Sequence, residues 1–125
     1  MAAFGTYLEN AGLNHFLNVT PLAQAPLNLH LYLTDPTDDD TGTEVSGGSY
    51  APVAATFNPA AAGATDNDVA IVFAEATGSW GNVAYFALKD GADNLYYHGQ
   101  FDVAKTIDTG DVAAVAIGDL NVSHD

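Results

Sequence analysis

Residues 27–34 alternate strictly between apolar and polar side chains, and this pattern constrains the fold more than any other part of the chain. Leucine occupies positions 27, 29, 31 and 33, and the intervening positions hold Asn28, His30, Tyr32 and Thr34. Successive side chains of a β-strand point to opposite faces of the sheet. An antiparallel strand with one face on a core has this alternation. We therefore predict a strand over residues 27–34.

Further apolar segments follow at intervals of about 10–15 residues, separated by turns rich in Gly, Asp and Asn. They are residues 50–57, 69–74, 82–89, 95–101, 112–117 and 120–122. The segment 82–89 is apolar on both faces, so we expect it at the centre of a sheet, covered on its second face by a helix or another chain. The fold class predicted is all-β, an antiparallel β-sandwich of seven or eight short strands with a short N-terminal α-helix.

The N-terminal segment, residues 2–17, has apolar side chains at helical spacing. They are Phe4, Tyr7, Leu8, Ala11 and Phe16. Two glycines inside the segment weaken a helix, so we expect this one to depend on packing against the body or a partner. A proline-bounded linker follows at 21–26. The pattern predicts an N-terminal amphipathic helix in residues 1–20 and a single β-sandwich domain in residues 21–125.

Composition excludes several classes of function. The chain has 125 residues, which is enough for one domain, and no cysteine, so disulfides, thiolate metal sites and cysteine nucleophiles are ruled out. Sixteen acidic residues against two lysines and no arginine give a net charge of −14. Nucleic acids and anionic membranes are poor partners for such a chain. It has no 18-residue apolar run and no secretory signal pattern, so we expect cytosolic synthesis without export by its own sequence.

The acidic stretch from Asp35 to Glu44 is the best candidate for a metal site, because calcium takes clustered carboxylate ligands. Asp38, Asp40 and Glu44 are its candidate ligands, but their spacing does not match an EF-hand loop. A solvated polar loop explains the same residues. We therefore expect no cofactor.

Aromatic residues are the stronger signal for binding, because tyrosine combines contact area with a polar tip and is enriched at protein interfaces. Candidate interface residues lie in the helix and in or beside the predicted strands. They are Phe4, Tyr7, Leu8, Phe16, Tyr32, Tyr50, Trp80, Tyr96 and Tyr97. Ordinary sheet-surface or core positions remain the alternative for each. Trp80 has a further alternative as a platform on which a sugar ring stacks.

Six segments, in order, carry a resemblance to a known family. They are YLEN at 7–10, LHLYLTDPT at 29–37, TEVSGGSYA at 43–51, SWGNV at 79–83, NLYYHG at 94–99 and KTIDTGD at 105–111. Together they resemble a family of small virion structural proteins of tailed bacteriophages, often labelled tail-fibre proteins, over nearly the whole chain. The resemblance implies a non-enzymatic, β-rich particle component and brings no catalytic residues. The sequence departs from the family pattern at Pro52 and in its scarcity of basic residues.

From the composition and this resemblance, we predict a capsid decoration or cement protein on the exterior of the virion. It would bind the major capsid protein or another virion protein by noncovalent contacts and form a homo-oligomer, either a trimer or a hexamer. The alternative is a tail or tail-fibre component that binds host-surface glycans through Trp80 and the loop 35–48. A small hydrolase is the third possibility, although the serine-elbow motif is missing.

Overall fold

The computed structural model describes residues 3–124. The predicted helix start at residue 2 and the outer domain limits at residues 1 and 125 lie outside this range. The elements are β1 (Ala3–Phe4), α1 (Thr6–Phe16), β2 (Leu27–Tyr32), β3 (Val53–Ala55), β4 (Ala64–Asp66), β5 (Ile71–Val72), β6 (Gly81–Lys89), β7 (Leu95–Ile107), β8 (Ala114–Val115) and β9 (Asn121–Ser123). The predicted all-β fold with a short N-terminal helix is confirmed. No helix in residues 3–124 has the length and apolar character needed to cross a membrane.

The main sheet has five antiparallel strands in the order β1-β7-β6-β2-β3. Strand β6 lies between β7 and β2, as its apolar character on both faces predicted. The predicted strand at 27–34 forms as β2, which ends two residues earlier because Leu33 and Thr34 enter the following loop. Strand β7 is longer than predicted and continues to Ile107.

One face of the main sheet carries the hydrophobic core. Leu29 of β2 is opposite Leu88 of β6, and Leu31 is opposite Phe86. All four side chains are buried in one cluster. Full burial of such a side chain contributes about 1.5–3 kcal/mol. The leucine face read from the alternation is therefore the face that packs into the core.

Two short ribbons, β4 with β9 and β5 with β8, contribute the other side of this core. Ile71 of β5 and Val122 of β9 are buried in the same cluster as the main-sheet leucines. The predicted strands at 50–57, 69–74 and 112–117 are shorter in the structure. Strand β4 lies inside a stretch that the sequence indicates to be a loop, and pairing with β9 makes it a strand.

The opposite face of the main sheet is covered by the start of α1 and by the loop 33–44. The Gly5 N–H donates to the Tyr96 carbonyl at 2.9 Å, and the Thr6 N–H donates to the Asp38 carbonyl at 2.8 Å. A Cβ at Gly5 would lie 2.4 Å from the carbonyl oxygen of Leu95, so only glycine allows this approach. The first turn of the helix is thus fixed to β7 and to the loop.

Strand β7 bulges away from β6 in its second half. Tyr85 pairs with Gln100, but Val83 pairs with Lys105, so residues 101–104 face only one residue of β6. Bulges of this kind bend a strand and re-aim its side chains. Here the bulge leaves Val103 69% exposed. A groove opens between this part of β7 and the segment 112–115.

Candidate interaction surface

The end of α1 and the turn after it expose four large apolar side chains. Leu13 is 59% exposed, Phe16 82%, Leu17 68% and Val19 69%. We call residues 13–19 the arm tip. Contiguous exposed apolar patches mark interaction sites on soluble proteins.

The arm tip lies in a stretch without acidic side chains, lysine or arginine. Residues 10–34 contain no Asp, Glu, Lys or Arg, although the whole chain carries a net charge of −14. The cores of protein interfaces are depleted in charged residues in the same way. The exposure and the charge depletion therefore coincide on one surface.

Backbone hydrogen bonds order the arm tip. Asn18 has a positive φ of 61°, as residues that end helices often do. The Val19 N–H donates to the Asn14 carbonyl at 2.8 Å, and the Leu22 N–H donates to Nδ1 of His15 at 3.0 Å. The tip therefore presents its apolar side chains from a capped helix end, which lowers the entropy lost when a partner binds.

A groove of mixed polar and apolar lining lies between β7 and the segment 112–115, with a volume of about 790 Å³. Leu31, Val83, Phe86 and Ile107 of the core contribute to its lining. Phe101 packs against Phe86 with ring centroids 5.2 Å apart. The groove lining also includes five charged or amide side chains, those of Gln100, Asp102, Lys105, Asp119 and Asn121.

A buried lysine holds the loop 35–44 to the main sheet. Lys89 Nζ lies 2.8 Å from Asp40 Oδ2 and 2.7 Å from Asp93 Oδ1. Tyr32 donates its hydroxyl hydrogen to the other oxygen of Asp40. Burial lowers the pKa of Lys89, but the hydrogen bonds to Asp40 and Asp93 outweigh burial and raise it above its ordinary value. Lys89 is therefore a buried charged group whose ion pairs stabilise the fold.

Two histidines attach the same loop at other points. His30 Nδ1 lies 2.7 Å from Glu44 Oε2, and Tyr50 donates its hydroxyl hydrogen to that oxygen at 2.7 Å. His98 Nε2 lies 2.7 Å from Asp38 Oδ1. These contacts, with those of Asp40, hold three acidic residues of one loop against the sheet.

The three candidate metal ligands are directed to different partners. Asp38 contacts His98, Asp40 contacts Lys89 and Glu44 contacts His30. In the part of the chain that the structure describes, no group of three or more His, Asp or Glu side chains is arranged to hold a metal ion. In this structure the acidic side chains of the loop therefore attach it to the main sheet.

The predicted interface residues fall into three groups. Tyr7 and Phe16 are exposed on α1. Phe4, Leu8, Tyr50 and Tyr97 are half-buried, and Phe4 lies edge-on to Tyr97 at 5.4 Å. Tyr32, Trp80 and Tyr96 are buried. Trp80 donates its indole N–H to the Gly48 carbonyl at 2.9 Å, so in this structure its ring is not available for stacking on a sugar.

Sequence reasoning missed most of the arm tip and the mouth of the groove. Helical spacing identified Phe16 but not Leu13 or Leu17, and Val103 lies in a strand whose bulge the pattern does not reveal. One signal could have found the arm tip, namely the absence of charged residues from residues 10–34. The uncharged stretch also includes the largely buried strand β2, so this signal indicates the arm tip only together with the predicted helix.

Glu44 makes the stability of the protein depend on pH in the acid range. Burial raises its pKa, but hydrogen bonds from His30 and Tyr50 outweigh burial and hold it below the ordinary value of 4.5. A carboxyl with a lowered pKa stabilises the fold above its unfolded-state pKa, and this contribution is lost as the pH falls through the folded-state pKa. We expect the free energy of unfolding of Glu44→Gln to fall less between pH 6 and pH 3 than that of the wild type. The difference should correspond to the protonation of one carboxyl group. Urea unfolding at several pH values measures this.

The matched control is Asp39→Asn, which changes an exposed carboxyl in the same loop. It should leave the slope of stability against pH close to that of the wild type. Equal slopes for Glu44→Gln and the wild type would contradict the role given to Glu44.

A family model described as "Podophage GP4 fiber I protein gp80" matches residues 3–123. No curated protein matches the chain. The match covers nearly the whole described structure, from β1 to β9, and so includes both the arm tip and the groove.

Proposed function

The chain belongs to the family described as Podophage GP4 fiber I protein gp80, and from that premise we propose that it is a non-enzymatic structural component of the phage fibre, attached through its arm tip. The family itself is one of phage virion structural proteins. The observation that carries the proposal is the coincidence of four exposed apolar side chains with an uncharged stretch in a chain of charge −14.

Different parts of the chain carry the negative charge and the apolar contact surface. The acidic body keeps the protein soluble and repels other acidic surfaces. The arm tip can be covered by a partner without desolvating a charge, which would cost several kcal/mol per unpaired ion. Attachment through the tip therefore leaves the charged body facing solvent.

A capsid decoration protein on the outer shell is the second candidate. Its support is that the elements are short. Within residues 3–124 the helix has 11 residues and the longest strand has 13. A compact body with one apolar arm suits a site on a shell as well as a site on a fibre. The partner would then be the major capsid protein, and a trimer or hexamer would match the symmetry of the shell.

Labelled antibodies against the protein separate the two locations in electron micrographs of intact virions. Label over the fibres supports the proposal, and label over the head supports the decoration protein. Absence of label from purified particles would contradict both.

Incorporation into particles tests the role of the arm tip. We expect Phe16→Ser combined with Leu17→Ser to lower the amount of protein per particle about tenfold or more, because central apolar anchors dominate binding energy. Phage lacking the wild-type gene, complemented with each variant, provide the particles, and quantitative immunoblotting measures the amount.

The matched control is Val69→Ser, which removes a side chain of similar exposure (52%) outside the arm and the groove. It should leave incorporation unchanged. Circular dichroism of the purified variants checks that each is folded. Normal incorporation of the double variant would remove the arm tip from the attachment mechanism.

A further inference from the structure

We propose that the groove between β7 and the segment 112–115 binds an extended, basic segment of another protein, which pairs with the groove as an added β-strand. The groove is separate from the arm tip, so the inference goes beyond the attachment proposed above. It is drawn from the unpaired strand edges beside the groove, from its mixed polar and apolar lining, and from its negative charge.

Strands with an unpaired edge stand on both sides of the groove. Residues 101–104 of β7 have no paired residue in β6, and β1 pairs only with Tyr97 and His98. Strand β8 pairs with β5 alone, in a sheet of two strands. Within residues 3–124, both strands therefore have backbone N–H and C=O groups that no other strand uses. Residues 102–106 are exposed, so a partner can reach this edge of β7 and pair with it through main-chain hydrogen bonds.

The side chains of the groove suit an extended occupant. Along β7, polar and apolar side chains alternate at positions that line the groove, namely Gln100, Phe101, Asp102 and Val103. Successive side chains of an extended segment point in opposite directions. A segment that alternates apolar and polar residues can therefore contact both kinds of lining at once. A helix uses its backbone groups internally and cannot offer them to β7 or β8.

The charge of the groove favours a basic occupant. Asp102 and Asp119 line it, and within residues 3–124 neither forms an ion pair. One lysine, Lys105, lies in the same lining, and the whole chain has a net charge of −14. Complementary charge favours a partner that carries Lys or Arg. A second copy of this chain would be repelled instead. The occupant is therefore a basic segment of a different protein.

A synthetic peptide of about seven residues that alternates lysine and valine is the probe. We titrate it into the isotopically labelled full chain and follow the amides by nuclear magnetic resonance. Saturable shift changes are expected at residues 101–104 and 114–115. Hydrogen exchange should become slower at residues 101–104, because the added strand occupies their backbone groups. Shift changes confined to other parts of the chain, such as the loop 35–44, would overturn the proposal.

Two control peptides separate strand addition from simple attraction between charges. The first has the same residues with methyl groups on its backbone nitrogens, so it keeps the charge but loses its N–H donors. It should bind about tenfold or more weakly, because several hydrogen bonds are lost. The second has glutamate in place of lysine and should also bind about tenfold or more weakly. Equal binding of the methylated and unmethylated peptides would contradict strand addition.

Asp102→Asn and Asp39→Asn form a matched pair of variants, because each removes one exposed carboxylate and changes the net charge equally. Asp102 lines the groove, whereas Asp39 lies in the loop over the opposite face of the main sheet. We expect Asp102→Asn to weaken binding of the lysine peptide about two- to fivefold, the range for an exposed ion pair. Asp39→Asn should leave it unchanged. Equal weakening by both would show that the peptide responds to net charge and not to the groove.

This proposal and the one on the arm tip fail separately. If the lysine peptide leaves the spectrum unchanged while the arm-tip double variant still loses incorporation, strand addition is wrong and the attachment stands. The bulge and Lys105 would then protect this edge from other strands. If the peptide binds as expected but the double variant is incorporated normally, attachment through the arm tip is wrong. Self-association of the wild type that the peptide abolishes would identify a second copy as the occupant and overturn the basic partner.

Discussion

Replacing Trp80 with alanine is expected to lower the free energy of unfolding by about 3–5 kcal/mol, the range for truncating a large buried aromatic residue. Trp80 is 3% exposed, and its ring lies edge-on to Tyr50 at 5.4 Å and to Phe73 at 6.3 Å. A small domain has about 5–15 kcal/mol of stability in total. The variant should therefore unfold at a much lower urea concentration than the wild type.

The indole N–H contributes separately from the ring. It donates to the carbonyl of Gly48, a residue with a φ of 56° whose added Cβ would lie 2.9 Å from the indole nitrogen. Trp80→Phe keeps an aromatic ring, and the Gly48 carbonyl still accepts from the Thr77 N–H at 3.0 Å. We expect the lost hydrogen bond to cost about 0.5–1.5 kcal/mol, so this variant should be less destabilised than the alanine variant.

Urea unfolding followed by circular dichroism compares the two variants with the wild type. A Trp80→Ala variant as stable as the wild type would contradict the structural role of this residue. If that variant also lost saturable binding to a glycan array, Trp80 would contact sugars in spite of its burial in this structure.

The sequence predicts best the elements whose pattern is local. Strand β2 follows from the leucines at every second position, because the two-residue period of a strand determines which side chains share a face. The central place of β6 follows from its lack of a polar face. The presence of α1 follows from the helical spacing of Tyr7 and Leu8, but its start does not, because the predicted segment included Phe4, which lies in β1.

Elements that depend on distant partners were not predictable. Strand β4 consists of Ala64, Thr65 and Asp66, of which Ala and Asp are depleted in strands, and pairing with β9 at the other end of the chain defines it. Tyr32 is on the polar face of its strand, yet it is 1% exposed because the loop after β2 folds back over it. The alternation of side chains predicts that the strand has two faces, but it does not predict what covers the polar face.

The candidate interaction surface could be predicted from the sequence only in part, for the same reason. Helical spacing places Phe16 on an apolar face of α1, but spacing alone does not say whether the body covers that face. The body holds the start of the helix at Gly5 and Thr6 and leaves its end exposed. The groove could not be foreseen, since it depends on a bulge between two paired strands.

Replacing Asp40 with alanine should have the second large effect, about 2–3 kcal/mol of lost stability. Removing one partner of a buried ion pair typically costs 3–5 kcal/mol because the other charge stays buried and uncompensated. Lys89 has only 3% of its side chain exposed, and Asp40 is its closest contact from the loop. The cost is reduced here because Asp40 is 26% exposed and Asp93 still contacts the ammonium group.

Asp93→Ala is the matched control, because it removes the other carboxylate of the same lysine. Asp93 is 75% exposed, and exposed ion pairs contribute about 0–1 kcal/mol. Urea unfolding at pH 7 should therefore separate the two variants clearly. Equal effects would show that Lys89 does not hold the loop through Asp40.

The Asp40 variant should also loosen the start of α1, the helix that ends in the arm tip. The loop that Asp40 fastens contains Asp38, whose carbonyl accepts the hydrogen bond from Thr6 N–H. If the loop detaches locally, this amide is exposed to solvent more often, and its hydrogen exchange becomes faster. We expect faster exchange at Thr6 in Asp40→Ala than in Asp93→Ala, whereas the Leu88 amide in the central strand should change only in proportion to the lost global stability. Unchanged hydrogen exchange at Thr6 would mean that β7 alone holds the start of α1.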